Sequence, residues 1–94
     1  MRTVYRYRVA VSDRPQAHRL TSDPVHVEAA RVGVGSNAPH VVDFWTEHDD
    51  DRPEWERFFQ VFGTGHPVPQ DARYWGTTAR TADGLVWHLY EVTP

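Results

Sequence analysis

Hydrophobic residues in this chain recur at every second position rather than at helical spacing, and this period limits the fold more than any other feature. Near the start, Tyr5, Tyr7 and Val9 fall on one face of an extended segment. Arg6 and Arg8 fall on the opposite face. A period of two is typical of a β-strand whose two faces have different surroundings. Similar runs follow, separated by prolines and glycines, so the sequence predicts an all-β fold.

The predicted strands are short and lie between turn-forming segments. Asp83 and Gly84 supply the positive-φ position that a hairpin turn needs. A slip in the apolar phase predicts a β-bulge near Ala29 and Ala30. We therefore expect residues 1–94 to form one domain, a small β-sandwich or partly open barrel of six to seven mainly antiparallel strands. The predicted strands are a first run that ends at Val11, then 18–20, 25–34, 41–47, 55–62, 74–81 and 85–92, with a hairpin loop at 35–39 and a charged loop at 47–53.

Composition excludes several classes of function. The 94 residues contain no cysteine, which excludes disulfides and thiolate chemistry. The net charge is −3, whereas nucleic-acid-binding domains usually carry a basic excess, so we expect no direct binding to nucleic acid. No stretch approaches the roughly 20 apolar residues of a membrane span, and the first residues lack the apolar core of a secretory signal. These features predict a cytoplasmic protein that does not bind membranes.

A glycine-rich loop, Gly-Thr-Gly-His-Pro, precedes the last predicted hairpin. Its two glycines allow close backbone approach to an anion, and its histidine could act as a hydrogen-bond donor or proton shuttle. The loop lacks the lysine and the following helix of a phosphate loop, so a plain tight turn is the alternative. Together with an arginine and two aromatic residues further along, it forms our candidate ligand site. The candidate residues are Gly63, Thr64, Gly65, His66, Arg73, Tyr74 and Trp75.

A second candidate surface is acidic. Asp49, Asp50 and Asp51 stand in succession, and Trp55 follows them. The acidic run lacks the glycine and the terminal glutamate spacing of a calcium loop. We therefore predict a solvated loop that is suited to a basic protein surface, and no bound metal.

Histidines and carboxylates also occur along the predicted strand 41–47 and at its ends. His40 and His48 share one face but lie roughly 26 Å apart on an extended strand at about 3.3 Å per residue. Asp43 and Glu47 point to the other face, so these four residues are not expected to form one metal site. His88, in the last strand, shares its face with apolar residues and is interpreted as a structural histidine. No nucleophile elbow or other catalytic arrangement is present, and we expect neither an enzyme nor a cofactor.

Several motifs together resemble a group of small proteins of unknown function from phages and prophages of high-GC actinobacteria. The resemblance implies a setting, namely a phage-encoded accessory protein in the cytoplasm of an infected or lysogenic bacterium, but no activity. The motifs are 59–69 (FQVFGTGHPVP), Ala72, Tyr74, Gly76-Thr77, 86–91 (VWHLYE) and the opening 3–7 (TVYRY).

Four functions stay open on the sequence. The favoured one is a non-enzymatic module that binds a host or phage protein, or a second copy of itself, through surplus aromatic residues and sheet edges. The second is the binding of a small nucleotide signal, for example one used in antiviral defence. A component of the virion and a small hydrolase that uses His66 or His88 are the weaker alternatives.

Overall fold

The computed structural model describes residues 1–33 and 38–94, and it confirms the all-β prediction. Seven strands form two antiparallel sheets that pack face to face without closing into a barrel. A three-stranded sheet has the order β1-β4-β3, and a four-stranded sheet has the order β2-β5-β7-β6. The strands are β1 (Arg2–Ala10), β2 (Gln16–Leu20), β3 (Pro24–Arg31), β4 (His40–Asp49), β5 (Trp55–Gly63), β6 (Arg73–Thr77) and β7 (Trp87–Val92).

The core lies between the sheets and follows directly from the period of two. Alternate residues of each strand point inward, and the largest of them are fully buried, including Phe44 of β4 and Phe59 of β5, whose rings lie 4.9 Å apart. Burial of side chains of this size supplies most of the stabilisation of so small a domain. The buried core cluster is Val9, Leu20, Val27, Val42, Phe44, Phe59, Val61 and Leu89.

One polar cluster is also enclosed between the sheets, beside this core. The guanidinium of Arg57 donates through Nε to Oε2 of Glu91 at 2.9 Å and through Nη2 to Oε1 at 2.7 Å. The indole Nε1 of Trp75 donates to the same Oε1 at 3.0 Å, and Asp23 lies 3.0 Å from Arg57. The hydrogen bonds from Arg57 hold the pKa of Glu91 below its ordinary value.

The predicted bulge in β3 was placed wrongly. The register shifts between Pro24 and His26, so Val25 rather than Ala29 or Ala30 is the extra residue. Pro24 has no amide hydrogen to give to the ladder, and such a residue is tolerated at the first position of a strand or beside a bulge. The later residues of β3 pair with β4 in regular register.

The predicted strand ends also need correction. Strand β4 runs on to Asp49, two residues beyond its predicted end at Glu47, because the whole of β1 pairs with it, so the acidic turn begins at Asp50. The last two strands are shorter than predicted, and a structured connection replaces their ends. In this connection, the amide of Thr81 donates to the carbonyl of Leu85 at 2.8 Å. Gly84 has a positive φ, as predicted, with a value of 83°. The predicted loop 35–39 lies mostly outside the described residues.

A second bulge, in β6, decides which residues reach each face of the four-stranded sheet. The register between β6 and β7 shifts between Tyr74 and Gly76, so Trp75 is the extra residue. Because of this extra residue, Gly76 pairs with the inward-facing Leu89, and Thr77 pairs with His88 on the outward face. A regular strand would give these two residues the opposite directions.

Candidate functional site

The outward face of the four-stranded sheet carries large aromatic side chains where solvent-facing positions are usually polar. On β5, Phe59 and Val61 point into the core, while Phe58 and Phe62 point to the opposite face of the sheet. A strand that is apolar on both faces is normally covered on both. Among the described residues, no strand packs over the outward side of β5.

Three of these aromatic rings form a continuous row across the sheet. Phe62 of β5 meets Tyr90 of β7 edge to face, with ring centroids 5.6 Å apart. Tyr90 in turn meets Tyr74 of β6 at 5.5 Å. We call Phe62, Tyr90 and Tyr74 the aromatic row. Phe62 is only 8% exposed and Tyr90 is half-buried, whereas the outer member, Tyr74, is 52% exposed. The row therefore offers its aromatic surface mainly at the free edge of the sheet.

A chain of hydrogen bonds borders the aromatic row. Thr64 Oγ1 lies 2.8 Å from Nε2 of His88, and Thr77 Oγ1 lies 2.9 Å from its Nδ1. The hydroxyl of Tyr74 bonds to Thr77 Oγ1 in turn. A neutral imidazole has one donor and one acceptor nitrogen, so one threonine donates to His88 while the other accepts from it. His88 is therefore fixed by both ring nitrogens, as expected of a structural histidine, but it lies on the outward face rather than in the core.

The Gly-Thr-Gly-His-Pro loop forms a tight turn at the end of β5. The amide of His66 donates to the carbonyl of Gly63 at 3.1 Å, and Gly65 has a φ of 89°. Gly63 packs closely against this turn, since a Cβ at its position would lie 3.1 Å from Nδ1 of His66. This geometry is that of the plain tight turn, and it projects Thr64 towards His88.

The seven residues of the predicted ligand site do not all meet. Thr64 and Tyr74 come together on the outward face through His88 and Thr77. Trp75 points the other way and bonds to Glu91, between the sheets. The guanidinium of Arg73 lies on the ring of Trp75, 4.4 Å from its centroid. The predicted set is therefore split between two sides of one sheet.

A shallow cavity of about 220 Å³ lies beside the tight turn. Its apolar part comes from aromatic and aliphatic side chains, and its polar part comes from two histidines and the hydroxyl of Thr64. All four glycine-loop residues of the predicted site, from Gly63 to His66, line this space. The lining residues are Phe62, Gly63, Thr64, Gly65, His66, Val68, His88 and Tyr90.

The three aspartates of the predicted acidic surface lie at the end of β4, in the three-stranded sheet, and in the turn that follows it. Asp49 ends β4, and the N-terminal ammonium of Met1 lies 2.7 Å from Asp50 and 3.3 Å from Asp51. Hydrogen bonding to this ammonium lowers the pKa of Asp50. Trp55 begins β5 and is 66% exposed. The ammonium thus already neutralises part of the acidic run, and these residues contribute nothing to the aromatic row.

The histidines and carboxylates of β4 stay apart, as predicted. Asp43 accepts two hydrogen bonds from Arg8, at 2.8 and 3.1 Å. His48 stacks on the ring of Tyr5 at 4.4 Å. Of the same group, His40 packs near Trp87 and Glu47 accepts from Arg2 at 3.0 Å. Each residue has its own neighbours, so the four do not assemble into a metal site.

Sequence reasoning missed two participants in the outward face. The contact of Phe62 with Tyr90 was missed because it depends on the pairing of β5 with β7, which the sequence does not specify. Thr77 was missed because the bulge at Trp75 reverses its direction. The available signal was the pair of outward aromatic positions on β5, at Phe58 and Phe62.

Comparison with known families gives one result. The family model described as "Domain of unknown function (DUF7352)" matches residues 1–94. The chain belongs to this family. The match spans both sheets, so the outward face and the tight turn lie within the family domain. No curated protein and no solved structure matches the chain. The part of the chain that the structure describes contains no helix that could cross a membrane.

Proposed function

We propose that this protein is a non-enzymatic interaction module that binds a protein partner through the outward face of its four-stranded sheet. The observation that carries the proposal is the aromatic row, whose rings lie across three strands over which no other described strand packs. Burying such a surface against a partner would remove apolar area from water at about 25 cal/mol per Å².

The chemistry of the face supports a protein partner. Tyrosine is enriched in protein interfaces because it offers a large, rigid ring together with a hydroxyl group. Here the hydroxyls of Tyr74, Thr77 and Thr64 stand beside the aromatic row and can exchange hydrogen bonds with a partner backbone. An aromatic centre with a polar border is the usual organisation of an interface hot spot.

The proposed setting is that of a phage or prophage accessory protein in the bacterial cytoplasm, with a host or phage protein as partner. Its support is the resemblance of the segments 59–69 and 86–91 to small phage proteins. Those segments include the tight turn and β7, which border the outward face.

Site-specific photo-crosslinking in bacterial cells tests this proposal. We expect a benzophenone amino acid in place of Tyr74 to give a discrete crosslinked product whose partner mass spectrometry identifies. The matched control carries the same group in place of Arg6, an exposed residue on the outward face of the three-stranded sheet.

The proposal requires that the product from position 74 be absent from the Arg6 control. Equal, diffuse labelling from both positions would contradict it. A second substitution, Tyr90→Ala, should remove the product from position 74, because it interrupts the aromatic row.

A small ligand is the second candidate, and the 220 Å³ cavity beside the tight turn is the observation that favours it. Its two histidines offer donors, and Tyr90 and Phe62 offer ring surfaces. Arg73 and Trp75 lie on the other side of the sheet, so a nucleotide in this cavity would meet no arginine among the predicted site residues.

Melting temperatures measured with a panel of mono-, di- and cyclic nucleotides test small-ligand binding. A ligand present at about 100 times its dissociation constant stabilises the native state by about 2.7 kcal/mol, which raises the melting temperature by several degrees. The shift should disappear in Thr64→Val. Unchanged melting temperatures at millimolar ligand would reject small-ligand binding and leave the protein-binding proposal intact.

A further inference from the structure

Arg19 and Glu56 lie opposite each other at one corner of the outward face. They are register partners in the pairing of β2 with β5, and both are exposed. Opposite charges in this position normally attract each other across the strands. Within the described chain, however, neither residue forms an ion pair with the other or with any third residue.

Among the described residues, the other side chains that the strands present on this face are aromatic, aliphatic, hydroxyl and amide groups together with His88. The middle of the face is made of Phe58, Gln60 and the aromatic row, and Arg19 and Glu56 add one charge of each sign. A chain of net charge −3 repels its own copies over most of its surface, but this face is balanced. The neutral middle and the paired opposite charges are self-complementary.

We propose, on the basis of the protein-binding function above, that the face binds a second copy of this chain in a two-fold dimer. In such a dimer the same patch occurs on both sides, so a contact from one copy is repeated by the other. Arg19 of each copy pairs with Glu56 of the second copy, which gives both charges the partner they lack. The aromatic rows pack in the middle.

A two-fold axis that runs diagonally over the face satisfies this pairing. Arg19 and Glu56 mark one corner, and Tyr74 and His88 mark the opposite one, with Tyr90 between them. Rotation about that diagonal brings Arg19 of each copy close to Glu56 of the other, within reach of these long side chains, and keeps Tyr90 near the axis. The strands of the two copies then cross at a steep angle, as in orthogonal sheet packing.

The size of the face sets the expected affinity. Four strands about 4.8 Å apart and roughly five residues long cover about 19 by 17 Å. An interface of this size falls below the standard range of about 1,200–2,000 Å² of total buried surface. We therefore expect a dissociation constant in the micromolar range and a reversible equilibrium between monomer and dimer.

Sedimentation velocity at protein concentrations from about 5 to 500 µM tests the dimer, because this range spans the micromolar dissociation constant expected for an interface of this area. Arg19→Glu and Glu56→Arg should each raise the dissociation constant about tenfold or more, because each places like charges together across the axis. The double variant Arg19→Glu/Glu56→Arg should restore the wild-type constant. Arg6→Glu, which makes the same change of charge on the other sheet, should not weaken association beyond the small effect of its added net charge.

Circular dichroism of each variant establishes that a loss of association is not a loss of folding. A wild-type chain that stays monomeric up to about 500 µM would overturn the dimer. The dimer would also be overturned if each single charge reversal weakened association but the folded double variant showed no recovery. A monomeric chain whose position 74 still crosslinks to a different protein would leave the proposed function standing without the dimer.

Discussion

Replacing Arg57 with methionine is expected to lower the free energy of unfolding by about 2–3 kcal/mol at neutral pH. Arg57 and Glu91 are only 16% and 24% exposed, and methionine leaves the carboxylate of Glu91 enclosed without its cation. Breaking a fully buried pair costs about 3–5 kcal/mol, and the remaining contact with water reduces this figure. Urea denaturation followed by tryptophan fluorescence measures the change.

A matched control separates burial from charge. Arg2 and Glu47 also pair, at 3.0 Å, but they are 72% and 50% exposed. Arg2→Met should therefore cost only about 0–1 kcal/mol. The double variant Arg57→Met/Glu91→Leu should be more stable than Arg57→Met alone, since it removes the uncompensated charge. Equal losses for Arg57→Met and Arg2→Met would show that the enclosed position of the pair adds nothing.

The same pair has a pH signature. The pKa of Glu91 is lower in the folded chain than in the unfolded chain, where it lies near its ordinary value of 4.5. The unfolded state therefore takes up a proton first as pH falls. The stabilisation from this ion pair is fully present above pH 4.5, the pKa of Glu91 in the unfolded chain. It is lost as the pH falls below this value through the lower pKa of the folded chain. Stability measured between pH 7 and pH 3 should fall less steeply in Arg57→Met than in the wild type.

Gly76→Ala is expected to destabilise the fold by about 1–2 kcal/mol. A Cβ at this position would lie 2.6 Å from Cγ2 of Val27 and 3.1 Å from its Cβ. Val27 belongs to the buried core and has a stiff, branched side chain, so it cannot swing away. Overpacking of this kind costs about 1–3 kcal/mol, and the smaller entropy of the unfolded alanine chain offsets about 0.4–1 kcal/mol.

A double-mutant cycle with Val27→Ala isolates the clash. Val27→Ala opens the space that the new methyl group needs, so the double variant should lose less stability than the sum of the two single variants. A coupling of about 1 kcal/mol is expected for residues in direct contact. Additive losses of stability would mean that the clash with Val27 is not the reason why alanine is unfavourable at position 76. Denaturant midpoints at constant m-value provide the measurement.

Much of the fold was predictable because inward and outward positions alternate. The strand at 55–62 and the positive φ of Gly84 were predicted correctly from residue types alone. The bulges at Val25 and Trp75 were not, because a bulge is a relation between two strands and one strand cannot reveal it. Sequence periodicity also cannot show which strands are neighbours.

The candidate site shows the same limit. Sequence proximity grouped Tyr74 with Trp75, but adjacent residues on a strand point to opposite sides. The bulge then brought Thr77 to the outward face and turned Gly76 towards Val27. A single extra residue thus accounts for both the hydroxyl chain beside His88 and the close approach of the two sheets.

The order of the strands also has a consequence for how the chain folds. Only β3–β4 and β6–β7 pair consecutive strands in the described structure, while β1 pairs with β4 and β2 pairs with β5. Pairing of distant segments is slow, because the intervening chain must first be closed into a loop. During synthesis β1 therefore waits unpaired until β4 is available. Arg6 and Arg8 divide its apolar residues and Arg2 precedes them. Such charges keep an unpaired strand from associating with others.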